Sequence, residues 1–481
     1  MAEKQYTGVR ESRPNRINDL GTTGREAEEN FRKGCLKRAD RSFAQGLQCQ
    51  QINSMAALMS IEDSVFISHS PQGCTGCSIM AVDMYRVGQA HRGIRNIKNP
   101  HIVVTNLDQK SVVFGGEKKL REAVKKAAER YSPKLIFVYT SCASGIIGDD
   151  VDAITADLQK EYPDILIVPI HCEGFKSKIC ASGFDAAFIS INKYILKKQR
   201  IEKEEGLVNL FAPTTVSYAD QKEMERMLSL IGAKANYIPF YSSLEKIRRI
   251  PAAIASTSIC KVFADEFMKT LEEDYDIPYS HTVMPIGVRN TDKWYRGIAK
   301  VLGKEAEVEE IIAREHERIE PLVAKIRERL HGKRVFICGG TGRSFAAAAL
   351  IDDFGMELVG LETPTYDDDA QVDIEYLNGI HKDFVVDIAN MQPFEQVNLV
   401  NKLRPDAFIG VPDWAAKLGI PTTHVLDGKR PTMGYDGLLY LGNKIADQLE
   451  NPGFNIKLAK HTKLPYKSSW YDEDAFKYIL R

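Results

Sequence analysis

The chain has 481 residues, 44% hydrophobic and 27% charged, with 64 basic and 65 acidic side chains and a net charge of −1. That length allows roughly three domains of about 150 residues, and the composition is that of an ordinary globular protein with a large core. The charge balance offers no field for nucleic acid or an anionic membrane. No apolar run approaches the ~20 residues of a membrane span, and the polar start is not a secretory leader, so a cytoplasmic protein is expected.

Nine cysteines in a cytoplasmic chain of this size are not a disulfide framework, because that compartment keeps thiols reduced. Unless position says otherwise, they are small buried hydrophobes.

Residues 1–48 read as an N-terminal arm. A first α/β group, 49–204, has a strand at Val65–Ser68 that runs into the turn Pro71-Gln-Gly-Cys74. Leu120, Val124, Ala127, Ala128 and Tyr131 mark one face of an amphipathic helix. Leu135–Tyr139 is a continuous apolar strand of the kind buried in parallel sheets, and Ile165–Ile170 is the next. A second group, 205–331, carries strands at Leu207–Phe211 and near Asn236–Ile238 with a helix over Tyr218–Gly232 between them. A long helix after Cys260 and a charged helical connector, Glu305–Leu330, complete it. A third group, 332–450, opens on the strand Arg334–Cys338, passes through Gly339-Gly340 into a helix ending at Asp353, and continues with strands at Glu357–Leu361, Phe384–Val386 and Ala407–Ile409. Residues 451–481 form a tail. Strands alternating with helices predict an α/β chain of three Rossmann-like, doubly wound parallel-sheet domains.

Ligands in such folds sit at the carboxyl ends of strands, and several of those ends carry thiols. Cys74 closes the turn after the first strand, Cys142 directly follows Leu135–Tyr139, and Cys49 lies in a Gly-Leu-Gln-Cys loop. Soft sulfur ligands select iron–sulfur clusters, zinc or copper(I). The separations are far from compact ferredoxin or zinc-ribbon spacings, so only the tertiary fold can assemble such a site; buried thiols are the competing reading. Cys74 and Cys77 form one CxxC pair without a second, which makes Cys77 accessory. Cys260 follows Ala255-Ser-Thr-Ser-Ile and is expected to open the helix Lys261–Tyr275, where the dipole favours a thiolate. Packing as a small residue is its alternative.

Five segments, in order, carry a family likeness: His69-Ser-Pro-Gln-Gly-Cys74, Val113-Phe-Gly-Gly-Glu-Lys-Lys-Leu120, Ile147-Gly-Asp-Asp150, His171-Cys-Glu-Gly-Phe175 and Met433-Gly-Tyr-Asp-Gly437. From about Cys49 to Gly437 the chain resembles the α subunit of nitrogenase component 1 and its relatives. The resemblance implies a buried metallocluster within the three domains and a β-like subunit in an α2β2 heterotetramer. It also implies an ATP-hydrolysing [4Fe–4S] reductase homodimer as electron donor. An [8Fe–7S] relay, the P-cluster, would be shared between subunits, with Cys49, Cys74 and Cys142 at the α-side positions. Cys260 occupies the place of the cysteine that holds a larger catalytic cluster, of the iron–molybdenum type or all-iron [8Fe–9S–C].

The departures are equally specific. Dinitrogen-reducing members place a histidine where Met433 stands, a glutamine and a histidine where Cys180 and Phe184 stand, and an arginine at Val82. No clear counterpart of a further basic residue occurs near Trp414. Loss of a proton-donating imidazole suits dinitrogen poorly, and an apolar wall suits a small organic substrate. Within the family the pattern is closest to methylthio-alkane reductase, which cleaves carbon–sulfur bonds of small thioethers. Simple core packing remains the alternative for Met433 and Phe184. Gly339, Gly340 and Arg343 lie in a glycine-rich turn that matches neither the dinucleotide fingerprint nor the P-loop; the resemblance would set them against the anionic cluster together with His424, while a plain strand-to-helix turn and a structural histidine are the alternatives. No ATP site is expected on this chain. The competing functions are a dinitrogen-reducing nitrogenase, a scaffold on which the cluster is assembled, and a plain sugar- or nucleotide-binding α/β protein.

Overall fold

The structure, a computed structural model, describes residues 20–36, 40–42, 49–76, 78–177, 179, 181–213, 215–281, 283–389, 392–410 and 414–480; Cys77 and Cys180 lie outside the described residues. In chain order the strands are β1 (Leu20–Thr23), β2 (Asp40–Arg41), β3 (Ser64–Ser68), β4 (His101–Val104), β5 (Leu135–Tyr139), β6 (Leu166–Ile170), β7 (Leu207–Ala212), β8 (Lys234–Pro239), β9 (Ala255–Ser258), β10 (Arg334–Cys338), β11 (Glu357–Thr363), β12 (Val385–Ile388), β13 (Ala407–Gly410), β14 (Thr422–Thr423) and β15 (Ile479–Leu480). They fall into two compact units, one spanning 49–281 and the other combining 20–42 with 283–480.

The first unit contains two parallel sheets, ordered β4-β3-β5-β6 and β8-β7-β9. Every residue of β3, β5 and β7 is buried, which is why their sequences are continuous rather than alternating. The helix Glu117–Tyr131 closes one face by burying Leu120, Ala123, Val124, Ala127 and Ala128. Val65, Ile67, Ile136 and Val138 join them in one core. The second unit is built on a six-stranded sheet, β1-β12-β11-β10-β13-β14, parallel except for β1; β2 and β15 pair antiparallel.

The chain therefore has the mixed α/β, parallel-sheet fold expected. The helix predicted to reach Gly232 ends at Ser229, because Gly232 takes φ +74° and turns the chain. Among the described residues no helix is long and apolar enough to cross a membrane.

In each sheet the connections leave a central pair of strands in opposite directions. These pairs are β3 and β5, β7 and β9, and β10 and β13. The crevice outside the carboxyl ends of such a pair is where α/β sheets bind ligands. The segments beyond these ends are His69–Cys74 and Ser141–Cys142 in the first sheet, Ile259–Cys260 in the second, and Gly339–Arg343 in the third.

Candidate metallocluster site

Cys49 is the extended residue just before the helix Gln50–Leu58. Cys74 sits in the short helix Gln72–Gly76 after β3, and Cys142 is the first residue of the helix Cys142–Ile147 after β5. Ser141 ties the last two loops together: its hydroxyl accepts the Ser144 N–H at 3.3 Å and donates to the His69 carbonyl at 2.8 Å. A Cβ placed on Gly174 would lie 3.1 Å from Cys49 Sγ and 3.5 Å from Cys142 Sγ. Two thiols 93 positions apart in sequence thus converge on one spot, and the absence of a side chain at 174 keeps that spot open. This cradle fits a cluster held by thiolates. Among the described residues no three His, Cys, Asp or Glu side chains are placed to hold a single metal ion by themselves.

The surrounding motif residues have definite tasks. His69, fully buried, places Nε2 3.0 Å from Asp149 Oδ2 and Nδ1 3.2 Å from the Thr105 hydroxyl. Burial lowers its pKa, working against its hydrogen bond to Asp149. The Gly116 N–H donates to both Asp149 oxygens at 2.9 and 3.1 Å. A Cβ at Gly116 would meet Asp149 Oδ2 at 2.6 Å, Leu107 Cδ2 at 2.7 Å and His69 Cε1 at 2.8 Å, so only glycine fits there. One carboxylate therefore joins three motifs that are separate in sequence. Asp150, its neighbour, caps the following helix by accepting the Ala153 N–H at 3.0 Å.

On the other side, His171 Nε2 lies 2.8 Å from Asp152 Oδ2, Tyr194 donates its hydroxyl to Asp152 Oδ1, and Lys176 Nζ lies 2.9 Å from Glu173 Oε2. Hydrogen bonding to Asp152 and Glu173 raises the His171 pKa to about 9. Burial opposes the charge of Glu173, yet His171 and Lys176 hold its pKa down to about 2. The Cys172 thiol is fully buried, 3.4 Å from the Thr140 carbonyl, and burial pushes its pKa well up. It is a packed thiol.

Around this crevice the chain exposes apolar side chains: Phe114 by 85%, Ile146 by 76%, Val113 by 72% and Phe175 by 56%. Exposed large apolar side chains grouped on neighbouring elements are candidates for cover by another molecule.

Cys260 departs from the expected local structure. The helix begins at Asp265, not Lys261, so Cys260 lies in a turn five residues before it. With Asp265 and Glu266 in its first turn, that helix already satisfies its own dipole. Cys260 is instead fixed by Ser258, whose hydroxyl accepts the Cys260 N–H at 3.2 Å and donates to its carbonyl at 3.0 Å. Phe263, which donates its N–H back to the Cys260 carbonyl, packs edge-on against Phe184 at 4.9 Å and Phe188 at 5.3 Å. Phe184 is thus part of an aromatic wall beneath the Cys260 turn.

In the second unit, Met433 is fully buried and extended just before the helix Gly434–Glu450. Tyr435 donates its hydroxyl to Asp292 at 2.7 Å, and Asp436 accepts from Arg318 at 2.8 Å. Arg343, in the first turn of the helix Thr341–Asp353, donates to the Val425 carbonyl at 2.5 Å, and the His424 carbonyl accepts from Lys444 at 3.3 Å. A Cβ on Gly340 would meet nothing within 4 Å, whereas at Gly339 it would come 3.3 Å from the Ser344 hydroxyl. Gly174 and Glu173 lie in a quoted motif without a role of their own in the sequence, and Asp149, which the sequence places in an acidic helix start, instead accepts the Gly116 N–H while Asp150 caps the helix. Their signal was position next to a cysteine-bearing loop.

The fold and sequence have counterparts among known proteins. The chain is 26% identical over 434 residues to the nitrogenase iron-molybdenum cofactor biosynthesis protein NifE of Rippkaea orientalis, covering 87% of this chain and 88% of that one. It is 24% identical over 412 residues to the nitrogenase molybdenum-iron protein alpha chain of Methanococcus maripaludis, covering 82% and 85%. Its fold matches a solved structure of nitrogenase Cp1 with a TM-score of 0.71 at 22% identity, over 90% of this chain and 94% of that one. The sequence profile described as nitrogenase component 1 type oxidoreductase matches residues 49–450. The chain belongs to the nitrogenase component 1 family of oxidoreductases.

Proposed function

We propose that this chain is the catalytic, α-like subunit of a nitrogenase-like two-component reductase acting on small methylthio-alkanes. The overall change takes two electrons and two protons: the carbon–sulfur bond of a thioether R–S–CH3 breaks, and R–H and CH3–SH form. The observation that carries the reading is Met433, fully buried where the resemblance places histidine in dinitrogen-reducing relatives. A thioether side chain holds no proton to deliver to dinitrogen, while its polarizable sulfur suits an apolar pocket.

On this reading Cys49, Cys74 and Cys142 would hold the α side of an [8Fe–7S] relay shared with a β-like subunit. Cys260 would hold a larger cluster, of the iron–molybdenum type or all-iron [8Fe–9S–C]. When bound, those clusters supply electron storage and the reducing chemistry. The chain's own residues supply position and surroundings. Ser141 and Ser258 orient the cysteine-bearing turns. Phe184, with the aromatic wall it belongs to, would keep water from the Cys260 turn, and Met433 leaves its own position without an imidazole. Gly339, Gly340, Arg343 and His424 would bind the anionic cluster. The exposed Val113, Phe114, Ile146 and Phe175 would be covered by a partner, either the β-like subunit of an α2β2 heterotetramer or an ATP-hydrolysing [4Fe–4S] reductase homodimer. The three sheets, parallel except for β1, support reading 49–204, 205–331 and 332–450 as three domains.

A second reading has support of its own: the similarity to a cofactor biosynthesis protein favours a scaffold that holds a cluster and hands it on. Turnover separates the two. The anaerobically purified complex, supplied with reductase and ATP, is offered a thioether, dinitrogen and acetylene. Thiol and hydrocarbon release supports the reductase. Absence of turnover, with transfer of intact cofactor to an apoprotein, establishes the scaffold.

A further inference from the structure

A second cluster of titratable groups lies in the sheet of the second unit, outside the cysteine sites. Cys338, Glu362 and Asp387 occupy one register row across the adjacent parallel strands β10, β11 and β12. In-register neighbours on a parallel sheet point to the same face. That face is closed by the helix Pro393–Leu403 and by Arg41 of β2. Arg41 grips Glu395 with two hydrogen bonds of 2.8 Å, reaches Asp387 Oδ1 at 2.9 Å, and donates to the Ile388 carbonyl at 2.8 Å. Gln396 donates to Glu362 Oε1 at 2.8 Å and to Cys338 Sγ at 3.2 Å.

Glu362, Asp387 and Glu395 are all at least 97% buried. The charged and titratable groups facing them are Arg41 and Cys338. One guanidinium stands against three carboxyl groups, and its bidentate contact is taken by Glu395. Two negative charges would remain uncompensated in a dry interior, at a cost far above that of binding protons instead. The second oxygens, Glu362 Oε2 and Asp387 Oδ2, are buried with no hydrogen-bond partner among the described residues, so nothing there would offset the charge of an ionised carboxylate. We propose that Glu362 and Asp387 form a buried two-proton site that clasps the Arg41 arm onto the sheet only while its protons are bound.

Burial raises the pKa of both carboxyls, Glu362 to about 8. Since the clasped state holds protons that an opened, solvated state releases, opening is suppressed at low pH and grows as pH rises toward that value. Hydrogen exchange of the β2 and β15 amides in the full-length protein, corrected for intrinsic rates and referenced to β7, reads the opening. The opening equilibrium should rise by about tenfold per pH unit for each proton released, and the double variant E362Q/D387N should be flat. Wild-type protection that does not change between pH 6 and 8, or a double variant that follows the wild-type curve, overturns the proposal. Should the double variant fail to fold, the infrared band of buried protonated carboxyls in the wild type decides. Its presence at pH 6 and loss toward pH 9 supports the site, and its absence at pH 6 overturns it.

Discussion

Replacing Gly174 by alanine separates a cluster cradle from ordinary packing. The residue opens the 3-10 turn Gly174–Lys176, and its φ is not among the positive ones, so alanine meets no backbone strain. Restricting the unfolded chain should contribute about 0.4–1 kcal/mol in favour of alanine. Against that stands the 3.1 Å approach of the new methyl to Cys49 Sγ, relieved by a shift of a few tenths of an ångström, below the ~1–3 kcal/mol of true overpacking. The metal-free chain should therefore keep its stability to within about 1 kcal/mol. The methyl would nevertheless occupy the point on which two sulfurs converge, and a cluster there should bind at least tenfold more weakly, about 1.4 kcal/mol. Chemical denaturation of the metal-free protein and iron and sulfide counts on the anaerobically prepared complex give the two halves. Unchanged stability with lost iron is expected. Full iron content in Gly174→Ala would show that Cys49 and Cys142 do not flank a cluster.

Four further outcomes follow from the same geometry. Asp149→Ala strips the Gly116 N–H and His69 of their shared acceptor, and a buried unsatisfied donor costs about 1–3 kcal/mol; urea midpoints should fall accordingly, with extra exchange at residues 112–116. Cys260→Ala should remove iron from the larger cluster while leaving the relay spectrum intact, as read by electron paramagnetic resonance. Phe114→Asp places a charge on a side chain that is 85% exposed, so folding should be unaffected while co-purification with the partner subunit, or activation by the reductase, is lost. His171, raised from 6.5 to about 9 in the folded protein, contributes stability that is complete below about pH 6.5 and disappears as pH rises through 9. In His171→Gln, the stability deficit relative to wild type should therefore shrink between those values.

Much of the architecture was legible because the buried strands are continuous apolar runs. Leu135–Tyr139 and Arg334–Cys338 coincide with β5 and β10 to the residue. Strands without that pattern were not legible. β9 is Ala-Ser-Thr-Ser, buried through its neighbours rather than through its own hydrophobicity, and β1, Leu-Gly-Thr-Thr, is an antiparallel edge defined by its pairing with β12. The error at Cys260 has the same origin. An acidic pair at Asp265-Glu266 marks the true helix start, and the cysteine carries no boundary signal of its own. Convergence of Cys49 and Cys142 could be inferred only through family likeness, since no spacing rule links residues 93 apart. The role of Gly174 needed coordinates, because an empty space has no sequence signature.

The central claim is tested most directly by product analysis of the assembled complex, purified without oxygen together with its β-like partner and supplied with reductase, ATP and a methylthio-alkane. The account predicts equal amounts of methanethiol and the corresponding hydrocarbon, abolished by Cys260→Ala and independent of dinitrogen. A complex replete in iron and sulfide that leaves the thioether untouched would contradict it.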